Sequence, residues 1–426
     1  MGQANVSQLT PAMKERLTKA MGPLYDIQDA LCAWIPQGDA VPVSDRAMRV
    51  DLKVGPGGVT GGVDLDGGSF SAGTGNLHKV ATLQTVGLQH ARQITAKAIY
   101  ATDSEEKAVV NGWKDELRDA MIEYKHLLDQ FIQGDETGVL ATLVSNVSGS
   151  TYLCHDITTP SNTPYGTALL RAGNKYDIYD AATLATKRTG SPYAITQDGG
   201  LSLPGVCKVT FDSAITGYVA NDKVVILNMV NAALFGLGYH VNDATSGTWQ
   251  ALSRALPYVQ ATSYDASNQP LDLNFIRVCL NLIRRRKGES QTKKLTPYTA
   301  PEQEHAYEQL GIAISEIHKG AGNEEIDLLF GDARMAGRKL MINTHADPTR
   351  IQFLEKSQFG WASMKKVGFF EADKQTVFAI IDTSTGVPKS ILWFALCAQA
   401  QMFCKDPTNM GYIKNLAQPA GYRPTS

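Results

Sequence analysis

The sequence predicts an α+β fold in which a long framework helix is preceded by a glycine-tipped β-hairpin, interrupted afterwards by an inserted small β-domain, and completed by a mixed-sheet domain. Three observations predict it. Between Asp103 and Gly138, apolar residues recur at Val109, Trp113, Leu117, Met121, Tyr124, Leu128 and Ile132, in steps of three or four that lay one stripe along an α-helix. Ahead of it, Met48, Val50, Leu52 and Val54 alternate with Arg49, Asp51 and Lys53, the period of a strand with one buried face. After position 150 the helical period gives way to short β-type runs separated by turn residues.

Composition bounds the class. The 426 residues suffice for two or three domains or one elaborate one. With 43% hydrophobic and 19% charged residues, the chain is a folded globular protein. Forty basic against 42 acidic residues leave a net charge of -2, without the basic excess of a dedicated nucleic-acid binder. Cys32, Cys154, Cys207, Cys279, Cys397 and Cys404 form no C-x-x-C pair, which argues against a disulfide scaffold and a zinc site and for reduced, mostly buried thiols. The N-terminus lacks a signal-peptide h-region, no run reaches the length of a membrane span, and Val6 stands where a myristoylation signal needs Ser or Thr. A soluble chain made in the cytoplasm, with no membrane partner, is expected.

Residues 1–46 read as an arm. Pro11 to Met21 is a short amphipathic helix candidate, and Tyr25, Ile27, Leu31, Trp34 and Ile35 follow without a long period, too apolar to float in water and too irregular to form a domain. Residues 47–100 read as an extended loop, a β-hairpin. Nine glycines fall between Gly55 and Gly75, and strand-like sequence resumes from Leu77 to about Leu88 and from Gln93 to Tyr100. A phosphate-cradling loop would need G-x-x-x-x-G-K-[ST] or G-x-G-x-x-G between strand and helix, and neither is present.

Residues 101–150 hold the long helix. Asp103 and Glu106 make a capping-box pattern at its start, Gly134 ends it, and some thirty residues at about 1.5 Å each would give a rod of roughly 45 Å. Lys107, Asn111, Lys114, Arg118, Lys125 and Asp129 are expected mostly on its solvent side. Residues 151–230 read as an inserted, barrel-like antiparallel β-domain, with turns from Thr158 to Gly166 and strands at Lys175–Tyr179, Val206–Phe211 and Lys223–Leu227.

Residues 231–395 read as an α+β domain. Leu271 to Arg286 forms a helix with Leu273, Ile276, Leu280 and Ile283 on one side, closed by Arg284, Arg285, Arg286 and Lys287 before Gly288. That basic run fits a solvated helix end favoured by the dipole; the alternative is contact with nucleic acid or an acidic neighbour. Thr299 and Glu302 around Pro301 suggest a capping box for a helix carrying Ala306, Leu310, Ala313, Ile314 and Ile317. Strand-like or short helical pieces then alternate at Leu328–Phe330, Lys339–Ile342, Thr349–Lys356, Val377–Ile381 and Ile391–Cys397. Residues 396–426 read as an extended return.

No chemistry is proposed by these residues, so no catalytic, cofactor-binding or metal site is assigned, no cofactor is expected, and an enzyme is not the reading. The eight histidines form no H-x-x-x-H, there is no G-x-S-x-G elbow, and His345-Ala346-Asp347 reads as a turn before Pro348 rather than a ligand pair. The carboxylate pairs Glu105–Glu106 and Glu324–Glu325 suit helix ends or solvated loops.

The order of parts carries a resemblance. An arm, a glycine-tipped hairpin, one very long helix ending in Gln133-Gly134-Asp135-Glu136-Thr137-Gly138-Val139-Leu140, an α+β domain and a closing stretch from Asp406-Pro407 through Ile413 and Leu416 resemble the major capsid proteins of tailed double-stranded DNA phages, a fold shared by encapsulins. The resemblance implies a hairpin reaching over a neighbouring subunit, a spine helix in a peripheral domain, an apical domain from 231–395 with peripheral segments, and a C-terminal return of 396–426 to the peripheral domain. It implies an icosahedral shell of pentamers and hexamers enclosing double-stranded DNA, met non-specifically on the inner face, with portal, scaffolding and decoration or cement proteins as partners. About a hundred residues precede the spine helix, so any scaffold would be a separate protein. The virion, and the host cytoplasm during assembly, are the implied locations. Two other readings stand beside it: an encapsulin-like cargo compartment, and a hydrolase or carbohydrate-binding protein with a β-insertion.

Overall fold

The computed structural model describes residues 30–36, 47–55, 57–58, 60–62, 66, 69, 73–101, 112–154, 167, 169–198, 208–318, 334–371, 376–381 and 386–419. The expected helix Pro11–Met21, the cap at Asp103–Glu106, Val109, the turns Thr158–Gly166, the run Leu328–Phe330 and both carboxylate pairs lie outside these residues.

In chain order, α1 (Ala30–Trp34) leads to the hairpin β1 (Ala47–Gly55) and β2 (Leu77–Gln84), then β3 (Val86–Thr95), α2 (Ala96–Ala101) and the spine α3 (Gly112–Phe131). The apolar stripe does what its period requires. Tyr124, Leu128 and Ile132 are buried, and Leu117 and Met121 pack half-buried against the same core. The polar side departs from expectation, because Asp129 is fully buried. Lys125 is exposed as expected, but from His126 to Gln130 every residue of the helix is buried, so this turn has no solvent face.

The stretch expected as one strand from Leu77 to Leu88 breaks at Thr85, since its first half pairs with β1 and its second with another sheet. The strand expected from Gln93 stops at Thr95. The sequence Ala96-Lys97-Ala98-Ile99-Tyr100-Ala101 favours helix, and the Thr95 hydroxyl accepts from the Ala98 N–H at 3.3 Å.

Seven strands follow as one antiparallel sheet: β4 (Val139–Leu143), β5 (Ser145–Ser148), β6 (Thr151–Leu153), β7 (Lys175–Tyr179), β8 (Tyr193–Asp198), β9 (Lys208–Phe211) and β10 (Asp222–Ile226), ordered β4-β10-β7-β8-β9-β6-β5. The sheet already begins at Val139, ahead of position 151, because β4 needs β10 as its partner: Leu143 faces Asp222 and Ala141 faces Val224. Among the described residues the ladder runs open from β4 to β5, a wrapped sheet rather than a closed barrel. Tyr152, Tyr193 and Phe211 fill its interior edge to face, with Tyr152 and Phe211 centroids 5.8 Å apart.

Next come α4 (Leu237–His240), the ribbon β11 (Thr248–Trp249) and β12 (Leu252–Ser253), β13 (Thr262–Asp265), α5 (Leu273–Lys287), α6 (Glu289–Thr292), β14 (Thr296–Thr299), α7 (Pro301–His318), and the short strands β15 (Arg334–Met335), β16 (Arg338–Lys339), β17 (Met341–Ile342) and β18 (Ile351–Leu354). Asp272 caps α5 by accepting from the Asn274 N–H. The capping box expected at Thr299 does not form. Thr299 ends β14 and its hydroxyl donates to the Arg350 carbonyl, so Ala300 precedes the helix instead.

The chain ends with β19 (Phe359–Phe369), β20 (Phe378–Ile381), β21 (Pro388–Cys404) and β22 (Gly411–Lys414). The 17 residues of β21 run unbroken through the expected 395/396 boundary, spanning roughly 56 Å at about 3.3 Å per residue. β3 pairs along one side of it; β19 and β20 share the other. β22, by contrast, joins the mixed five-stranded sheet β13-β22-β18-β14-β17. β22 thus lies between β13 and β18, and its Ile413 packs with α5 and β18.

The five-stranded sheet is buried on both faces. Tyr298, Leu354 and Tyr412 point into the main core with the spine, while Ile351, Phe353 and Ile413 point the other way, against α5 and the Ala306, Tyr307 and Leu310 side of α7. Among the described residues no cysteine is joined in a disulfide.

Candidate assembly surfaces

Three surfaces leave apolar or charged groups without cover. The first is the hairpin. Its base packs on its own chain: Leu52, Ala81 and Leu83 are buried, Leu83 against Ala362 and Phe403, and the Thr82 N–H donates to the Gln250 carbonyl. Beyond Ala81 it leaves the body, and Leu77 and Val80 are 51% and 48% exposed. A one-residue slip of register would bring Leu52, Ala81 and Leu83 out, which fixes the outer strands where they are.

The second surface is the far end of the β21 ribbon. Met364, Val367 and Phe370 are exposed on and just beyond β19, and Ile381 and Val387 are 60% and 59% exposed. Phe378 bridges Phe370 and Trp393, with centroids 5.8 and 5.0 Å away. Exposed apolar side chains collected at one end of an element make this a candidate interaction patch.

The third surface is the helix layer over the five-stranded sheet. The basic run resolves into two halves. The Arg286 guanidinium donates to the carbonyls of Pro257 and Gln260, and Lys287 pairs with Asp406 at 2.5 Å, so this half fastens α5 to the loops beneath it. Arg284 and Arg285 stay exposed.

Three polar joints, the first fully buried and the others half-buried, hold these surfaces in fixed relation. At the first, one oxygen of Asp129 accepts the backbone N–H groups of Leu31 and Cys32 at 2.8 and 2.9 Å, where α1 begins. The other accepts from Asn343 Nδ2 at 2.7 Å and lies 3.2 Å from His345 Nδ1. His126 packs edge-on against His345, and Gln133 links onward to the Tyr298 hydroxyl. At the second joint Glu123 meets Arg92, Arg171 and His90, tying α3 to β3 and to the seven-stranded sheet's loops. Burial works against its ionisation, yet the hydrogen bond and charge interaction with His90 and the charges of Arg92 and Arg171 hold its carboxyl down at about 2. At the third, Asp243 accepts from Ser263, Tyr412 and Lys414, binding β22 to β13; burial raises it, but these hydrogen bonds leave it at about 2.

His345-Ala346-Asp347 is a turn, as its sequence suggests. His345 faces Asp129, while Asp347 accepts from the Thr349 N–H and hydroxyl and pairs with Arg350. A cleft of about 360 Å³ lies between α3, β3 and the seven-stranded sheet, walled by Leu88, Tyr124, Leu128, Tyr176, Ile226 and Met229. Sequence reasoning missed Asp129, Glu123 and Asp243. The one signal for Asp129 was its place between Leu128 and Ile132 on the flank of the stripe.

No family model matches the sequence, and no curated protein matches it. Solved structures do. A chain of the cyanophage A-1(L) capsid asymmetric unit is similar with a TM-score of 0.56 at 12% identity, over 95% of this chain and 97% of that one. A chain of the empty GTA particle capsid (TM-score 0.48, 9% identity, 95% of each chain) and one of Mycobacterium phage Ogopogo (0.44, 8%, 98% of this chain and 100% of that one) are also similar. The fold is that of a phage capsid subunit, over nearly the whole chain.

Proposed function

We propose that this chain is the structural subunit of a phage head, assembling in many copies into a closed icosahedral shell. The observation that carries the reading is the pairing of that fold with its uncovered parts: the hairpin beyond Ala81 and the ribbon end around Phe370 and Ile381 extend apolar surface away from the chain's own core. Burying such surface is worth about 25 cal/mol per Å², and a closed shell repeats each contact for every subunit. A chain that functioned alone would gain nothing from exposing it.

On this reading the apical sheet with α5 and α7 packs around the symmetry axes, pentamers and hexamers are the building units, and double-stranded DNA is the content. Portal, scaffolding and decoration proteins would be separate partners, the virion the final location and the host cytoplasm the place of assembly. Sedimentation of the purified chain, alone and with its neighbouring gene products, tests the reading. Megadalton particles are expected; a monomer or small oligomer under every condition overturns it.

A further inference from the structure

We infer that the exposed basic face of α5 in one copy docks on the acidic first turns of α7 in the next, a head-to-tail contact between second copies of this chain that closes rings. This rests on the shell-subunit reading and names the contact within it.

The fifteen residues of α5 include Arg277, Arg284, Arg285, Arg286 and Lys287 and no acidic residue. Arg286 and Lys287 are taken up inside the chain, as described above. Arg277, Arg284 and Arg285 are exposed, and spacings of seven and eight place them on one face. Among the described residues none of these three makes an ion pair. Arg338, on β16, adds to the concentration of charge: burial, and then the charge of Arg284, lower its pKa. Like charges gathered without a counter-charge repel, and an anionic partner relieves that.

The first turns of α7 are the mirror of this. Pro301 to Leu310 hold Glu302, Glu304 and Glu308 and no Lys or Arg. Glu304 and Glu308 stand one turn apart, and burial followed by the Glu308 charge raises the Glu304 carboxyl. Among the described residues neither makes an ion pair.

Placement makes the two complementary between copies. In the sheet β13-β22-β18-β14-β17, α5 lies against β13 and β22 at one edge, whereas α7 leaves the end of β14, next to the other edge. Subunits arranged head to tail around an axis turn opposite edges toward each other, so the basic helix of one meets the acidic turns of its neighbour. A heterologous contact of this kind closes into a ring when its rotation divides the circle. Opposite charge also selects against the reversed, like-edge pairing.

Charge reversal tests it. The double variants Arg284→Glu/Arg285→Glu and Glu304→Lys/Glu308→Lys should each lose at least tenfold of the assembled particles while keeping the wild-type circular dichroism spectrum. The quadruple variant restores the attraction and should assemble again. An equimolar mixture of the two double variants should form even-membered rings, since each variant pairs only with the other, and no five-membered ones. Either double variant assembling like wild type, or a folded quadruple variant that fails to assemble, overturns the contact while leaving the shell reading intact. A wild-type chain that never forms particles removes both.

Discussion

Asn343 and Asp129 meet at 2.7 Å, both fully buried, although 214 positions separate them. The same carboxylate takes the first N–H groups of α1, so three distant segments converge on one side chain. A carboxyl group withdrawn from water this completely is tolerable only when its acceptor sites are filled. Its partners come from the arm and from the loop after β17, so this one side chain of the spine checks that both are in place.

Asp129→Ala should therefore destabilise the subunit by about 3 kcal/mol, combining a lost helix cap with buried donors left unpaired. Urea denaturation of dissociated subunits measures this. Asp129→Asn, which keeps one acceptor oxygen, should cost less.

Glu123 predicts a response to acid. Its folded value near 2 lies below the ordinary 4.5, so its contribution to stability is complete above about 4.5 and fades as the pH falls toward 2. Glu123→Gln should remove on the order of 2 kcal/mol at neutral pH and flatten the loss of stability between about pH 4.5 and 2. Denaturation midpoints across that window, for wild type and variant, decide it.

Gly236 lies where the end of α3 meets the start of α4. A Cβ there would stand 2.3 Å from the Gly134 carbonyl oxygen and 2.5 Å from that of Ile132. Those carbonyls at the helix end accept the N–H groups of Leu237 and Gly238, so neither can move aside without breaking the joint. Gly236→Ala should cost about 3 kcal/mol and show as a lowered urea midpoint or insoluble subunits.

The sequence showed the skeleton and hid the destinations. The stripe from Leu117 to Ile132, the Met48–Val54 alternation and the α5 pattern were legible because each is a local period with one buried face. Asp129 was not, since its burial depends on residues 98 and 214 positions away. The break at Thr85 was hidden for a like reason: both halves are good strand sequence, and only the competing partners β1 and β21 divide them. Local pattern likewise could not show that β4 belongs with β10 or that β22 joins the five-stranded sheet, because pairing is decided by the partner.

The hairpin separates folding from assembly. Leu77→Asp and Val80→Asp replace side chains that are already in water, so the isolated subunit should keep its stability to within about 0.5 kcal/mol. Sedimentation should nonetheless show particles lost, because the same side chains are expected to be buried beneath or upon a neighbouring copy.

Electron cryomicroscopy of the wild-type particles tests the central claim most directly. The account predicts an icosahedral shell in which each β1–β2 hairpin rests on an adjacent subunit and covers Leu77 and Val80. Particles that never close, or a shell in which the hairpin stands free in solvent with those two side chains uncovered, would contradict it.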